Sequence, residues 1–328
     1  MIKYLIKRLI NMLISLFLLS ALCFIVIDLP PGDFAESYVS QMSRTSGVFD
    51  EDLLATMKAR YGLDQPIHIR YYKWIYNILI NGDFGISMTN TMPVKKILSE
   101  VMPFTVIFSF LSLIITYIIA IPIGIISALK QYSITDYIFT IVGFLGLSIP
   151  EFMLALTVMY YLFVEFGISP GGLFSPEFES LPWSIAKFID LLQHLITPLI
   201  ISGLFGTAVV IRVLRSTLLD ELSKDYVNTA VMKGLNYFHL IIKYPVRLAI
   251  NPIISTVGFI LPTVVSGSII VSIVLNLPTV GPLLILSLMQ QDFYLGGAIL
   301  LILSTLTIFG TFLSDILLMI IDPRIRYE

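Results

Sequence analysis

Long apolar runs alternate with polar stretches along the whole chain, and several runs reach the ~20 residues needed to cross a bilayer core. The first, MIKYLIKRLINMLISLFLLSALCFIVIDL, opens with Lys3, Lys7 and Arg8 and turns apolar at about residue 9. It is too long for the core of a signal peptide, and Pro30-Pro31-Gly32 follows instead of a small-residue cleavage site. It therefore reads as a retained first span, residues 1–28. Further spans are expected from about Pro103 to Ala128, Tyr137 to Phe166, His194 to Val213, Pro252 to Leu275 and Ala298 to Ile320. Pro150 lies midway through the third and predicts a kink or break, because proline removes a backbone donor and clashes one turn back. The fifth carries Ser266, Gly267 and Ser268, small residues that let helices approach closely in lipid. The pattern predicts an all-α polytopic membrane protein with about six transmembrane helices.

Two polar stretches interrupt this pattern with structure of their own. Residues 29–101 form an insert with helices expected near Asp50 and near Ile69, and Leu53, Leu54, Met57 and Tyr61 share one helical face. Gly82 and Gly85 in NGDFGIS supply a turn. The insert reads as a packed extracytoplasmic cap or as a docking surface for a soluble partner. The second stretch, about 214–248 within the remaining domain 102–328, contains DYVNTAVMKGL. Asp225 is placed to cap the first turn of a short helix, with Val227, Ala230 and Val231 on one apolar face. Gly234 follows where a left-handed residue ends a helix at little steric cost. A second helical stretch is expected from Tyr237 to Val246. Such a helix between two spans either lies on the bilayer surface or docks into another protein.

Composition and charge narrow the function classes. Hydrophobic residues make up 57% of the chain and charged residues 13%, about half the charged share of a soluble domain. A net charge of −2 argues for no nucleic-acid partner. The single cysteine, Cys23, excludes an intrachain disulfide, and the three dispersed histidines have no metal-ligand spacing. With the N-terminus inside, the inner segments hold twelve of the twenty Lys and Arg, the two short outer loops only Lys187, and the long insert the other seven. The short loops thus place both termini and the 214–248 stretch in the cytoplasm. The chain contains no G-x-x-x-x-G-K-[ST], H-E-x-x-H or G-x-S-x-G. Asp315 in the sixth span is a lone carboxylate, so no catalytic or metal site is expected. Glu151, directly after Pro150, either lines a pathway or sits at the N-terminus of a restarted helix, where the dipole favours an anion.

The stretch DYVNTAVMKGLNYFHLIIKYPVRLAINP resembles the cytoplasmic loop of ABC importer permeases of the dipeptide, oligopeptide and nickel family. That family's Glu-Ala-Ala-x-x-x-Gly pattern falls on Asn228, Thr229, Ala230 and Gly234, departing at its first two positions. Its later Ile-x-Leu-Pro portion is replaced at Tyr244, Val246 and Arg247. Four further segments match in order: IKYLIKRL, RYGLDQP with NGDFGIS, LGLSIPEFML, and the terminal DPRIR. The resemblance implies that Asp225, Val227, Asn228, Thr229, Ala230, Val231, Lys233 and Gly234 form a coupling helix and turn, seated on a separate ATPase subunit. ATP and Mg would then reside in one or two ABC ATPase partners, with no cofactor in this chain. It also implies a homologous second permease, an extracytoplasmic substrate-binding protein and alternating access between them in the cell membrane. Pro150, Glu151, Ser266 and Gly267 are candidates for the translocation path. Peptides and oligosaccharides both remain open as cargo, since LPPGDFAESYVSQM is similar to a branch linked to sugar uptake. The rival readings are a self-sufficient secondary transporter or channel using Glu151, and a non-transporting scaffold.

Overall fold

The computed structural model describes residues 2–30, 32–46, 49–168, 171–254 and 269–321. The helices are α1 (Ile2–Asp28), α2 (Phe34–Ser46), α3 (Glu51–Tyr61), α4 (Ile67–Tyr76, with a π-helical turn Asn77–Asn81), α5 (Val94–Leu129), α6 (Ile134–Ser148) and α7 (Glu151–Phe166). They continue with α8 (Pro176–Glu179), α9 (Ile185–Leu222), α10 (Asp225–Met232), α11 (Tyr237–Lys243), α12 (Pro245–Ala249), α13 (Ile269–Val274), α14 (Val280–Met289) and α15 (Phe293–Ile321). The chain is an all-α polytopic membrane protein. Among the described residues, four helical segments are long and apolar enough to cross a membrane: Ile6–Asp28, Val94–Leu129, Ile185–Leu204 and Phe293–Ile316. Leu13, Phe17 and Leu18 on α1 are exposed, as expected of a helix whose solvent is lipid.

The expected third span is divided. α6 stops at Ser148, Pro150 stands extended at φ −57° and ψ 134°, and α7 restarts at Glu151. A proline cannot donate to the preceding turn, so the backbone ladder breaks there. Most of the expected fifth span, including Ser266 and Gly267, lies outside the described residues, as does the terminal DPRIR. The segment between the expected fifth and sixth spans contains the ten-residue helix α14.

The chain divides into two compact units. The first comprises residues 1–9, 106–278 and 307–328. Its core joins Val210, Leu214 and Leu218 on α9 to Val227, Leu240, Ile241, Val246 and Ala249. Glycines set the approach of α5 and α9. A β-carbon at Gly203 would stand 2.8 Å from Ile115 Cγ2, and one at Gly206 would stand 3.0 Å from Thr116 Cγ2. The same closeness lets the Thr116 hydroxyl donate to the Gly203 carbonyl at 2.9 Å. Elsewhere in this unit, buried Asp136 in the first turn of α6 accepts from Arg215 Nε and Nη2, each at 2.8 Å. The carboxylate also takes the Ser127 hydroxyl and the Tyr132 amide. Tyr132 is held at φ +62°, a conformation that costs a residue with a β-carbon. Asp315, expected alone, pairs with Arg8 at 2.8 Å. A membrane carboxylate is costly without a partner, and the N-terminal helix supplies one.

The second unit comprises residues 10–105 and 279–306. Phe24 lies at its centre, with ring centroids 4.7 Å from Phe293, 5.4 Å from Tyr71 and 5.5 Å from Trp74. Arg70 spans the edge of this cluster, donating to Asp28 at 2.7 Å while its guanidinium stands 4.9 Å from the Phe293 ring. Asp50, near which a helix start was expected, caps α3 by accepting the Leu53 amide, and Gly62 ends α3 at φ +67°. α4 starts at Ile67, two residues before the expected Ile69, because Pro66 serves as its N-terminal boundary. Buried Asp292 accepts from the Ser87 hydroxyl at 2.5 Å, the Thr89 amide at 3.1 Å and the Leu295 amide at 3.2 Å. One carboxylate thus ties the NGDFGIS hairpin region to the head of α15.

Candidate functional site: the loop between α9 and α12

The capping of α10 differs from its expectation. Asp225 is the first helical residue, and Lys224, extended at φ −78° and ψ 148°, is the N-cap, with no capping hydrogen bond from its side chain. Lys224 instead reaches back to Glu221 at 2.5 Å. Asp225 keeps a favourable place in the first turn, where the exposed N–H groups favour an anion. Thr229 donates its hydroxyl to the Asp225 carbonyl at 2.9 Å. Gly234 stands at φ +74° as predicted, with its amide donating to the Val231 carbonyl at 2.9 Å. The next helix is broken where one stretch to Val246 was expected. α11 ends at Lys243 and α12 restarts at Pro245, because proline has no N–H to continue the ladder. Asn236 starts α11, its Oδ1 accepting the Phe238 and His239 amides at 3.1 and 3.3 Å.

Burial separates α10 into two faces. Val227 is buried, Tyr226 and Ala230 pack partly against the same core, and Val231 is exposed. The expected face of Val227, Ala230 and Val231 is therefore rotated. At about 100° per residue, Tyr226, Val227 and Ala230 span about 100° of arc, and Val231 falls about 40° beyond Val227. Choosing Tyr226 as the inner edge turns Val231 outward. The Tyr226 hydroxyl donates to Glu221 at 2.8 Å, and burial together with that carboxylate pushes the phenol's pKa up.

The outer face joins these elements into one surface. Asp225, Asn228, Thr229, Lys233 and Gly234 are exposed. Met232 is 87% and Phe238 70% exposed, with Val231, Leu235 and Tyr237 exposed near them in the chain. Five large apolar side chains in a span of eight residues, mixed with polar ones, have the character of a contact surface. The support beneath is packed, since Leu240 and Ile241 of α11 are buried in one cluster with Leu214 and Leu218 of α9. Sequence periodicity singled out Val227, Ala230 and Val231, missed the inward Tyr226, and passed over the exposed Met232, Leu235, Tyr237 and Phe238. An apolar residue in a capped polar loop was the available signal.

The second group of candidates has a separate setting. Pro150 and Glu151 begin α7, where the Met153 amide donates to the Pro150 carbonyl at 2.9 Å. Glu151 is half-buried in the first turn and faces Ser202 on α9. Among the described residues no group of three or more His, Cys, Asp or Glu is placed to hold a metal ion.

Comparison with known proteins agrees over the full chain. Residues 120–327 match the family model described as binding-protein-dependent transport system inner membrane component. Residues 1–109 match the N-terminal model of the same transport-system membrane component. The chain is 32% identical over 332 residues to the oligopeptide transport system permease protein AppB of Bacillus subtilis, covering all of both chains. It is 31% identical over 331 residues to a putative peptide permease protein of Brucella ovis, covering 99% of each. It is also 30% identical over 329 residues to the glutathione transport system permease protein GsiC of Escherichia coli, again over the whole of both. A polytopic helical chain matched from end to end in this way belongs to the binding-protein-dependent transport system inner membrane component family, and is a permease subunit of an ABC importer.

Proposed function

We propose that this permease imports short peptides, and that α10 with the Gly234 turn is the element through which separate ATPase subunits drive it. The end-to-end similarity to proteins named as oligopeptide, peptide and glutathione permeases carries the cargo reading. The exposed apolar surface at Val231, Met232, Leu235, Tyr237 and Phe238 supports the coupling reading. Burying a side chain such as Met232 or Phe238 in a partner's groove contributes about 1.5–3 kcal/mol of driving force each. The chain contains no P-loop of its own, so hydrolysis of ATP with Mg belongs to one or two ATPase partners.

In this reading six spans, termini inside, pair with a homologous permease around a central path. ATPase closure pushes α10, and the buried contacts of Val227, Leu240 and Ile241 with α9 transmit the displacement to the spans. An extracytoplasmic binding protein delivers cargo to the outer side, where the insert 29–101 offers a surface.

The test is a mild-detergent pull-down of the tagged chain from its native membranes, with mass spectrometry of what is retained. Recovery of a P-loop ATPase and a second permease is expected. Met232→Asp with Phe238→Asp should remove the ATPase and leave the second permease. Return of the chain alone, under conditions that keep other complexes intact, would overturn the proposal in favour of a self-sufficient transporter. Transport by the lone purified chain, lost in Glu151→Gln, would then identify that rival.

A further inference from the structure

Within the second unit, α3, α4 and the head of α15 line a half-open cavity of about 490 Å³ that plays no part in the coupling site. Its charged lining is Arg60, Arg70, Lys73 and Asp83, three cations against one carboxylate. Its apolar wall is aromatic, from Tyr61, Trp74, Phe293 and Tyr294. From these features we propose that the cavity binds a short peptide by its free C-terminal carboxylate, a reading that rests on peptide import as the function.

The donors are arranged with capacity to spare. Lys73 spends one ammonium hydrogen on Gln65 Oε1 at 2.8 Å, of the three that it carries. Arg60 stands over the Tyr61 ring, its Cζ 5.7 Å from the centroid, and its guanidinium carries five N–H donors. Arg70 donates one N–H to Asp28 and is fixed between Phe24 and Phe293. On the opposite sign, Asp83 accepts the Gly85 amide through Oδ1, and its second oxygen can receive an ammonium. A zwitterionic peptide presents both charges, and an excess of cations favours the carboxylate end as the anchor.

The walls are formed before any ligand arrives. Tyr294 is pinned by its hydroxyl to the Tyr61 carbonyl at 3.1 Å and abuts Gly85, where a β-carbon would stand 2.8 Å from its ring. Trp74 is buried, and its indole N–H has no hydrogen-bond partner. A cavity of this size suits a molecule of two or three residues, and flat aromatic walls accept different side chains without selecting among them. A neutral sugar would use the rings but not the three cations.

Trp74 supplies the readout. The chain has two tryptophans, so Trp183→Phe leaves Trp74 as sole reporter. The full chain in this background, in detergent micelles, is titrated with Ala-Ala-Ala, its C-terminal amide, its N-acetyl form and maltotriose. A saturable change in Trp74 emission is expected with Ala-Ala-Ala. The amide should bind at least tenfold more weakly, the N-acetyl form should lose less, and maltotriose should do nothing. Arg60→Gln with Lys73→Gln should weaken Ala-Ala-Ala at least tenfold while leaving the thermal unfolding profile unchanged, because both side chains are exposed. The proposal is overturned by the absence of a saturable change, by equal binding of acid and amide, or by undiminished binding in the double variant. A blank titration accompanied by loss of a co-retained binding protein in that variant would also overturn it, assigning the cavity to protein docking. The pull-down of ATPase and second permease reports on the importer reading independently.

Discussion

Replacing Asp136 with asparagine should be among the most damaging single changes in the first unit. The carboxylate is 2% exposed and takes four donors: two from Arg215, the Ser127 hydroxyl and the Tyr132 amide. Asparagine keeps one acceptor oxygen and turns an NH2 toward another donor, so at least one pairing becomes donor against donor. The Arg215 guanidinium then loses its bidentate partner while its side chain remains only 27% exposed. Breaking a buried pair by removing one partner costs ~3–5 kcal/mol, and the partial exposure of Arg215 puts the expectation at the lower end, about 3 kcal/mol. The released turn also loses the amide contact that holds Tyr132 left-handed. Unfolding of the purified chain in mixed micelles of rising SDS content, followed by far-UV circular dichroism, measures the loss. Asp136→Asn with Arg215→Met should recover more than half of it, because no unpaired charge is then left. A single-variant cost below about 1 kcal/mol, or a double variant as damaged as the sum of the two singles, would refute the reasoning.

The same carboxylate predicts a pH dependence: the Arg215 contact, with Ser127 and Tyr132, holds its pKa well below the usual range despite burial. The native state therefore binds this proton less readily than the unfolded one. The contribution is complete above the unfolded value of ~3.9 and is lost as pH falls below it, a step that Asp136→Asn should lack in the same SDS titration run at several pH values. Gly203→Leu should weaken the fold by at least the ~1–3 kcal/mol typical of overpacking, through its clash with Ile115, whereas Gly143→Ala, whose β-carbon would meet Ala208 at 3.9 Å, should be tolerated. Gly234→Ala meets no atom within 4 Å, so its whole cost is the left-handed turn, ~1–2 kcal/mol, read as reduced ATPase retention with unchanged unfolding of the spans. Asp292→Ala should strand the donors of Ser87 and Thr89 at ~1–3 kcal/mol for each buried one, and limited proteolysis should then cut near residues 87–92.

The sequence by itself determined this protein's solvent, class and punctuation. Apolar runs of membrane-spanning length dictate helices in lipid, because no other local structure satisfies the backbone there. Pro150 had to interrupt the third run, Asp50 to start α3, and Gly234 to turn the chain left-handed, since each acts through its own backbone and nearest neighbours. The ordered motifs, from IKYLIKRL to DPRIR, already carried the family. What only the tertiary structure decided involves partners far apart in the chain. Asp315 looked solitary until Arg8 stood beside it, across 307 positions of sequence, and Asp136 could not announce its pairing with Arg215. The rotation of α10 was equally hidden: periodicity allows either edge of its apolar stripe to face inward, and the core of Leu214, Leu218, Leu240 and Ile241 chose Tyr226 over Val231. That choice put Val231 on the outer face with exposed Met232 and Phe238. The cavity at Arg60, Lys73 and Tyr294 depends likewise on α15 returning to α3 and α4, a long-range contact that no local pattern encodes.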